Sequence, residues 1–202
     1  MIEGIPSGCT AFAGTRLIAA GDLASVVVRV KEVIDSDERA TILVFDNATS
    51  EPIEIDTRGT AEEMLRRMAG TPGGGASIAV AGPPGPAGPR GPGRPKLGVV
   101  AREITLLPRH WEWLNGQPGG ASVALRKLVE EARHANAGRD RLRRAQESSY
   151  RFMSAMAGNE PGYEEAIRAL FARNRNVFHG LVESWPADVR DHVNKLAAGT
   201  WP

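Results

Sequence analysis

Residues 71–98 constrain the fold more than any other stretch of this 202-residue chain. Gly and Pro dominate them, with one small apolar island at Ser77–Ala81. Such a composition buries no core and has few helix-compatible positions. Gly82–Gly91 looks collagen-like for three triplets, far too few for a triple helix, so it reads as an extended spacer. The chain then divides into a segment 1–70, the spacer 71–98, a middle segment 99–137 and a last segment 138–202.

The first segment reads as a small ββαββα domain. Thr10–Ala13 and Arg16–Ala20 suit a hairpin around Gly14-Thr15. Asp22 suits the cap of a helix whose apolar residues Leu23, Val27, Val30 and Ile34 recur at helical spacing. Thr41–Asp46 and Ile53–Asp56 read as strands joined by a polar turn. Thr60-Ala-Glu-Glu63 is a capping box that opens a helix through Met64, Leu65 and Met68.

The last segment reads as helical. Leu142, Ala145, Ser149, Phe152 and Met156 share one face. Ile167, Leu170 and Phe171 mark a second helix, and Val177, Leu181 and Val182 a third. Trp185-Pro186 separates it from a final helix with Val189, Val193 and Leu196 inward. The fold class expected for the whole chain is α+β.

Charge is unevenly distributed. Residues 1–75 carry 7 Lys and Arg against 12 Asp and Glu, whereas residues 88–151 carry 13 against 6. The formal total of +1 hides this basic middle, which suits a nucleic-acid or other anionic partner. A single cysteine, Cys9, excludes an intrachain disulfide and fits a reducing cytosol. No apolar run approaches the ~18 residues that span a bilayer, and the N-terminus lacks a secretory pattern. A soluble cytoplasmic protein is expected, without a membrane partner.

In the middle segment, Val100–Leu106 reads as a strand with Val100, Arg102, Ile104 and Leu106 on one face. Ala101, Glu103 and Thr105 take the other; a slip of one residue would turn Arg102 outward. Pro108 suits the first turn of a short helix lined by Leu107, Trp111 and Leu114. A Gly-rich turn, 115–121, leads to Ser122 as the cap of a second helix. That helix should bury Leu125, Leu128, Val129 and Ala132 and expose Arg126, Lys127, Glu130 and Arg133. One strand and two short helices cannot close a core, and a lone strand leaves its ladder unpaired. A second copy of the chain solves both problems.

On Arg102–Pro108, Trp113-Leu114, Gly119-Gly120 and Ser122–Val129, the segment resembles the ribbon-helix-helix family of small bacterial DNA-binding regulators. The resemblance implies a homodimer through Val100, Ile104, Leu106, Trp111, Leu125 and Leu128. It also implies a two-stranded ribbon in the major groove and a phosphate held by amides at the Ser122 helix start. The first helix is about a turn shorter than is common in that family, and Glu103 stands where a basic or polar residue is usual. Just upstream, Pro89–Lys96 resembles an AT-hook, whose thin Gly-Arg-Pro backbone lies in a narrow minor groove. Arg94 would insert there, with Arg90 and Lys96 on phosphates.

The structural alternatives stay open. The arm reads equally as a linker, and the strand and helices as a dimerisation element only. Arg139, Arg141, Arg143 and Arg144 fit a solvated helix face, and the four histidines share no ligand spacing. Asp46 and Asp56 end neighbouring strands, where Asp usually serves turns. No nucleophile elbow, P-loop or strand-linked Gly-x-Gly-x-x-Gly is present, so no enzyme, cofactor or metal is expected.

Over nearly its full length the chain resembles an uncharacterised bacterial family, domain of unknown function 2239. The matching pieces are Ala11–Gly14, Leu43–Asp46, Gly93–Glu103, Leu106–Leu114, Tyr150–Gly158 and Trp185–Arg190. The resemblance implies no activity. The sequence therefore leads to a DNA-binding homodimer contacting DNA through Arg90, Arg94, Lys96, Arg102, Glu103, Thr105, Ser122, Arg126 and Lys127. The alternative is an interaction or oligomerisation protein that uses the same segment only as an interface. The first domain points to no ligand.

Overall fold

The computed structural model describes residues 8–36, 40–70 and 102–201. Strands β1 (Cys9–Ala13) and β2 (Arg16–Gly21) form the expected hairpin. Gly14 turns it in the left-handed region at φ 57°, where a side chain would be strained. Helix α1 (Leu23–Asp35) follows, and its cap is Asp22, whose carboxylate accepts from the Ser25 amide at 3.0 Å and the Ser25 hydroxyl at 2.7 Å. These bonds hold the Asp22 carboxyl below its usual range. Strand β3 (Ile42–Asp46) returns antiparallel to β1, giving the order β2-β1-β3.

The expected fourth strand at 53–56 is absent. One bridge joins Phe45 to Pro52, and the Ile53 amide donates to the Val44 carbonyl at 2.7 Å. Pro52 has no N–H to extend the ladder. Asp56 instead turns away to bind Arg58 at 2.8 Å, and Arg58 holds its carboxyl far below the carboxylate range. Asp46 serves its own turn, accepting from the amides of Ala48 and Thr49 at 2.8 Å each. The two aspartates thus do local work. Helix α2 (Ala61–Gly70) opens on the expected capping box: the Thr60 amide donates to Glu63 at 2.9 Å, and the Glu63 amide donates to the Thr60 hydroxyl at 3.3 Å.

The central strand β1 is buried along its whole length, which requires cover on both faces of the sheet. Cys9, Ala11 and Val44 pack with Val26 and Val30 of α1. Burial pushes the Cys9 thiol up to about 11, helped by the charges of Asp22 and Asp46. Phe12 and Phe45 belong to the other face, and the covering there comes from the far end of the sequence. It is built from the C-terminal part of α4 (Gly120–Met156), α5 (Tyr163–Phe171), α6 (Arg175–Val182) and α7 (Ala187–Ala197). Phe152 of α4 has ring centroids 5.3 Å from Phe12 and 5.2 Å from Phe45. His192 of α7 packs 4.5 Å from Phe152 and 5.5 Å from Phe12. That burial, with Lys195 nearby, lowers the imidazole to about 4.

Two polar ties reinforce this layer. Asp188 accepts from the Leu17 amide of edge strand β2 at 2.7 Å, and Arg151 donates to the Thr49 carbonyl at 2.8 Å. Residues 1–74 and 136–202 therefore make one compact unit, where the sequence suggested separate first and last domains. A three-stranded sheet covered on one face only would leave Phe12 and Phe45 in water, and the C-terminal helices remove them from it. Within the helical layer, Trp185 is buried and donates from Nε1 to the Pro161 carbonyl at 2.9 Å. Phe171 and Val177, expected inward, are about half exposed, while Ala166, Ala169 and Phe178 take the core positions.

The second unit spans 75–135, of which residues 102–135 are described. It holds α3 (Pro108–Asn115), starting at the expected proline, and the first half of α4. The sequence suggested a break near 136–138. Helix α4 runs through it for 37 residues. Asn136 and Gly138 weaken a helix there, but a Gly costs only ~1 kcal/mol, an Asn less, and no proline interrupts the ladder.

Candidate nucleic-acid interface

Residues 102–107 precede α3 and carry no strand in the single chain. Arg102, Glu103, Ile104 and Thr105 are exposed and Leu106 is half-buried. The alternation expected of an inward and an outward face is thus not expressed here. A strand has no ladder until a second strand lies beside it. Arg90, Arg94, Lys96 and Val100 lie outside the described residues.

Helix α3 has no side-chain cap: Leu107 sits at its N-cap and Pro108 follows. Of its expected inner face only Leu114 is buried; Leu107 is 49% and Trp111 37% exposed, and Trp113 is more open still. The turn after it is tied by the Gln117 side chain, which donates to the Trp113 carbonyl at 3.2 Å, and by the Gly120 amide on the Gln117 carbonyl at 2.9 Å. Gly119 and Gly120 both have positive φ, at 84° and 73°. A Cβ at Gly119 would also press on Val123 at 3.1 Å, so this turn requires glycine.

This geometry corrects the expected cap. Helix α4 begins at Gly120, which places Ser122 inside its first turn. The Ser122 hydroxyl accepts from Arg126 at 2.9 Å instead of capping an amide. The Gly-Gly pair was the visible signal, because two adjacent glycines let the helix start three positions early.

On α4, Leu125, Leu128, Val129 and Ala132 recur at helical spacing, as expected, but they are not buried in the single chain. Leu125 is half-buried, Leu128 is 42% and Val129 56% exposed, and Ala132 is exposed. A helix with an open stripe of this kind needs a partner surface.

The basic residues of α4 are partly spent on neighbours. Arg133 pairs with Glu130 at 2.9 Å, and His134 lies 3.2 Å from the same carboxylate. Arg143 pairs with Asp140 at 3.2 Å, Arg144 donates to the Asp140 carbonyl, and Arg139 bonds Asn136. These match a solvated helix face. Arg126 and Lys127 stand exposed near the helix start. Among the described residues, no three His, Cys, Asp or Glu side chains group as metal ligands would, and no helix is long and apolar enough to cross a membrane.

A family model described as "Uncharacterized protein conserved in bacteria (DUF2239)" matches residues 8–197. The chain belongs to this family. The match includes both compact units, so the sheet, the C-terminal helices and the α3–α4 segment are all features of a DUF2239 chain. Neither the curated proteins nor the solved structures yield a match.

Proposed function

We propose that this chain is a DNA-binding protein that acts as a homodimer through its middle segment. The carrying observation is the apolar surface of Ile104, Leu107, Leu128 and Val129, open to water in the single chain beside a segment that has no strand partner. Two copies pairing Val100–Leu106 would form a ribbon-helix-helix and bury that surface. The ribbon would enter the major groove, while the start of the long helix α4 offers a phosphate its positive dipole end. The basic balance of residues 88–151 supports a polyanionic partner, and the AT-hook-like Arg94, flanked by Arg90 and Lys96, suits an A·T-rich minor groove.

The test is a titration of an A·T-rich duplex at several salt concentrations, with the native protein and Arg94→Ala. Binding should weaken steeply with salt, and Arg94→Ala should weaken it further and flatten the salt slope by about one charge. Absence of salt-sensitive binding at low salt would overturn the reading.

A second reading is favoured by the pairing of Arg133, Arg139 and Arg143 within their own helix and by the exposed carboxylate of Glu103. In it the segment joins two copies and touches no DNA. Both readings give a dimer in sedimentation; only the duplex titration separates them.

A further inference from the structure

The first compact unit carries a surface that the DNA reading does not use. Tyr150 of α4 and Phe171 at the end of α5 meet with ring centroids 6.1 Å apart, yet they are 43% and 50% exposed. The chain turns directly after Phe171. The Arg173 amide donates to the Leu170 carbonyl at 3.1 Å and the Asn174 amide to the Ala169 carbonyl at 2.9 Å. Asn174 then caps α6. Arg173 is held in this turn at φ 58°, a left-handed conformation that glycine adopts freely and that costs another residue ~1 kcal/mol or more. An arginine nonetheless occupies it.

Charges around the aromatic pair are unequally satisfied. Glu147, one turn before Tyr150, lies against Arg143, and Glu165 pairs with Arg168. Arg173 and Arg175 are exposed and have no carboxylate partner among the described residues; Arg175 reaches only the His179 ring nitrogen, at 3.4 Å. An exposed aromatic pair therefore stands within four residues of two cations that pair with no carboxylate among the described residues.

We propose that Tyr150, Phe171, Arg173 and Arg175 form a docking site for an acidic protein segment that presents an apolar side chain. The aromatic pair would seat the apolar anchor and the arginines would meet the flanking carboxylates. The ring planes stand 59° apart, so they cannot both stack on successive parallel bases, and this disfavours single-stranded nucleic acid as the occupant.

The experiment uses the full chain and a fluorescent glutamate–tyrosine random copolymer as probe, with a lysine–tyrosine copolymer and a thymidine oligonucleotide as controls. The acidic copolymer should bind, more weakly as salt rises. Phe171→Ser should weaken it about tenfold or more, as loss of a central aromatic anchor does. Arg173→Gly should weaken it several-fold while the melting temperature holds or rises, because glycine relieves the turn. A purely structural role for Arg173 would not separate binding from stability in this way. The proposal is overturned by failure of the acidic copolymer to bind at low salt, by equal binding of the lysine–tyrosine copolymer, by an equal loss of oligonucleotide binding in Phe171→Ser, or by unchanged affinity in both variants.

Discussion

Phe152→Ala is the sharpest probe of how this chain is assembled. Phe152 is fully buried, and its ring meets Phe12 and Phe45 of the sheet and His192 of α7. Removing a buried phenyl ring costs ~3–5 kcal/mol when transfer and cavity terms are combined. Each lost aromatic pair contributes ~0.5–1.5 kcal/mol beyond area, and here three ring contacts go together, so a loss of about 4–5 kcal/mol is expected. That is about a quarter or more of the ~5–15 kcal/mol that holds an ordinary domain folded. The assay is urea unfolding followed by far-ultraviolet circular dichroism, with hydrogen exchange of β1 and of α7 measured separately. Because one core joins both ends of the sequence, protection should fall by the same free energy in the sheet and in the helices, within a single transition. Loss of protection in α7 with β1 unchanged, or the reverse, would refute the shared core.

Two further outcomes follow from the same framework. His192 takes up its proton near pH 4 when folded and near 6.5 when unfolded, so across that window the unfolded state binds more protons. Stability should be complete above pH 6.5 and fall by roughly 2–3 kcal/mol as pH drops towards 4, and His192→Phe should flatten that part of the pH profile in urea titrations. Gly138→Ala should raise the melting temperature, by up to ~1 kcal/mol of stability, since α4 is continuous there and a Cβ meets nothing within 4 Å; a lower melting temperature would indicate a break in the helix.

The candidate site was only partly legible beforehand. Pro108 as a helix start, the Gly119-Gly120 turn and the stripe at Leu125, Leu128, Val129 and Ala132 could all be read from residue type and spacing. Their solvent exposure could not, because a helical period says which residues share a face and says nothing of what covers it. Ser122 does not cap α4 for a related reason. Serine is a frequent cap, but the position of the first helical turn depends on backbone angles that two adjacent glycines leave free.

The sequence by itself determined the local grammar of this protein: the hairpin at Gly14, the Asp22 cap, the Thr60–Glu63 capping box, and the helices closed at Trp185-Pro186. Each is decided within a few residues by hydrogen bonds or steric limits that act regardless of the rest of the chain. Only the tertiary structure decided that Phe12 and Phe45 meet Phe152 and His192 from the other end of the sequence, and that 53–56 adds no strand. Burial is a collective property. Which apolar face finds which cover depends on the summed shape of all the elements, and no window along the chain contains that sum.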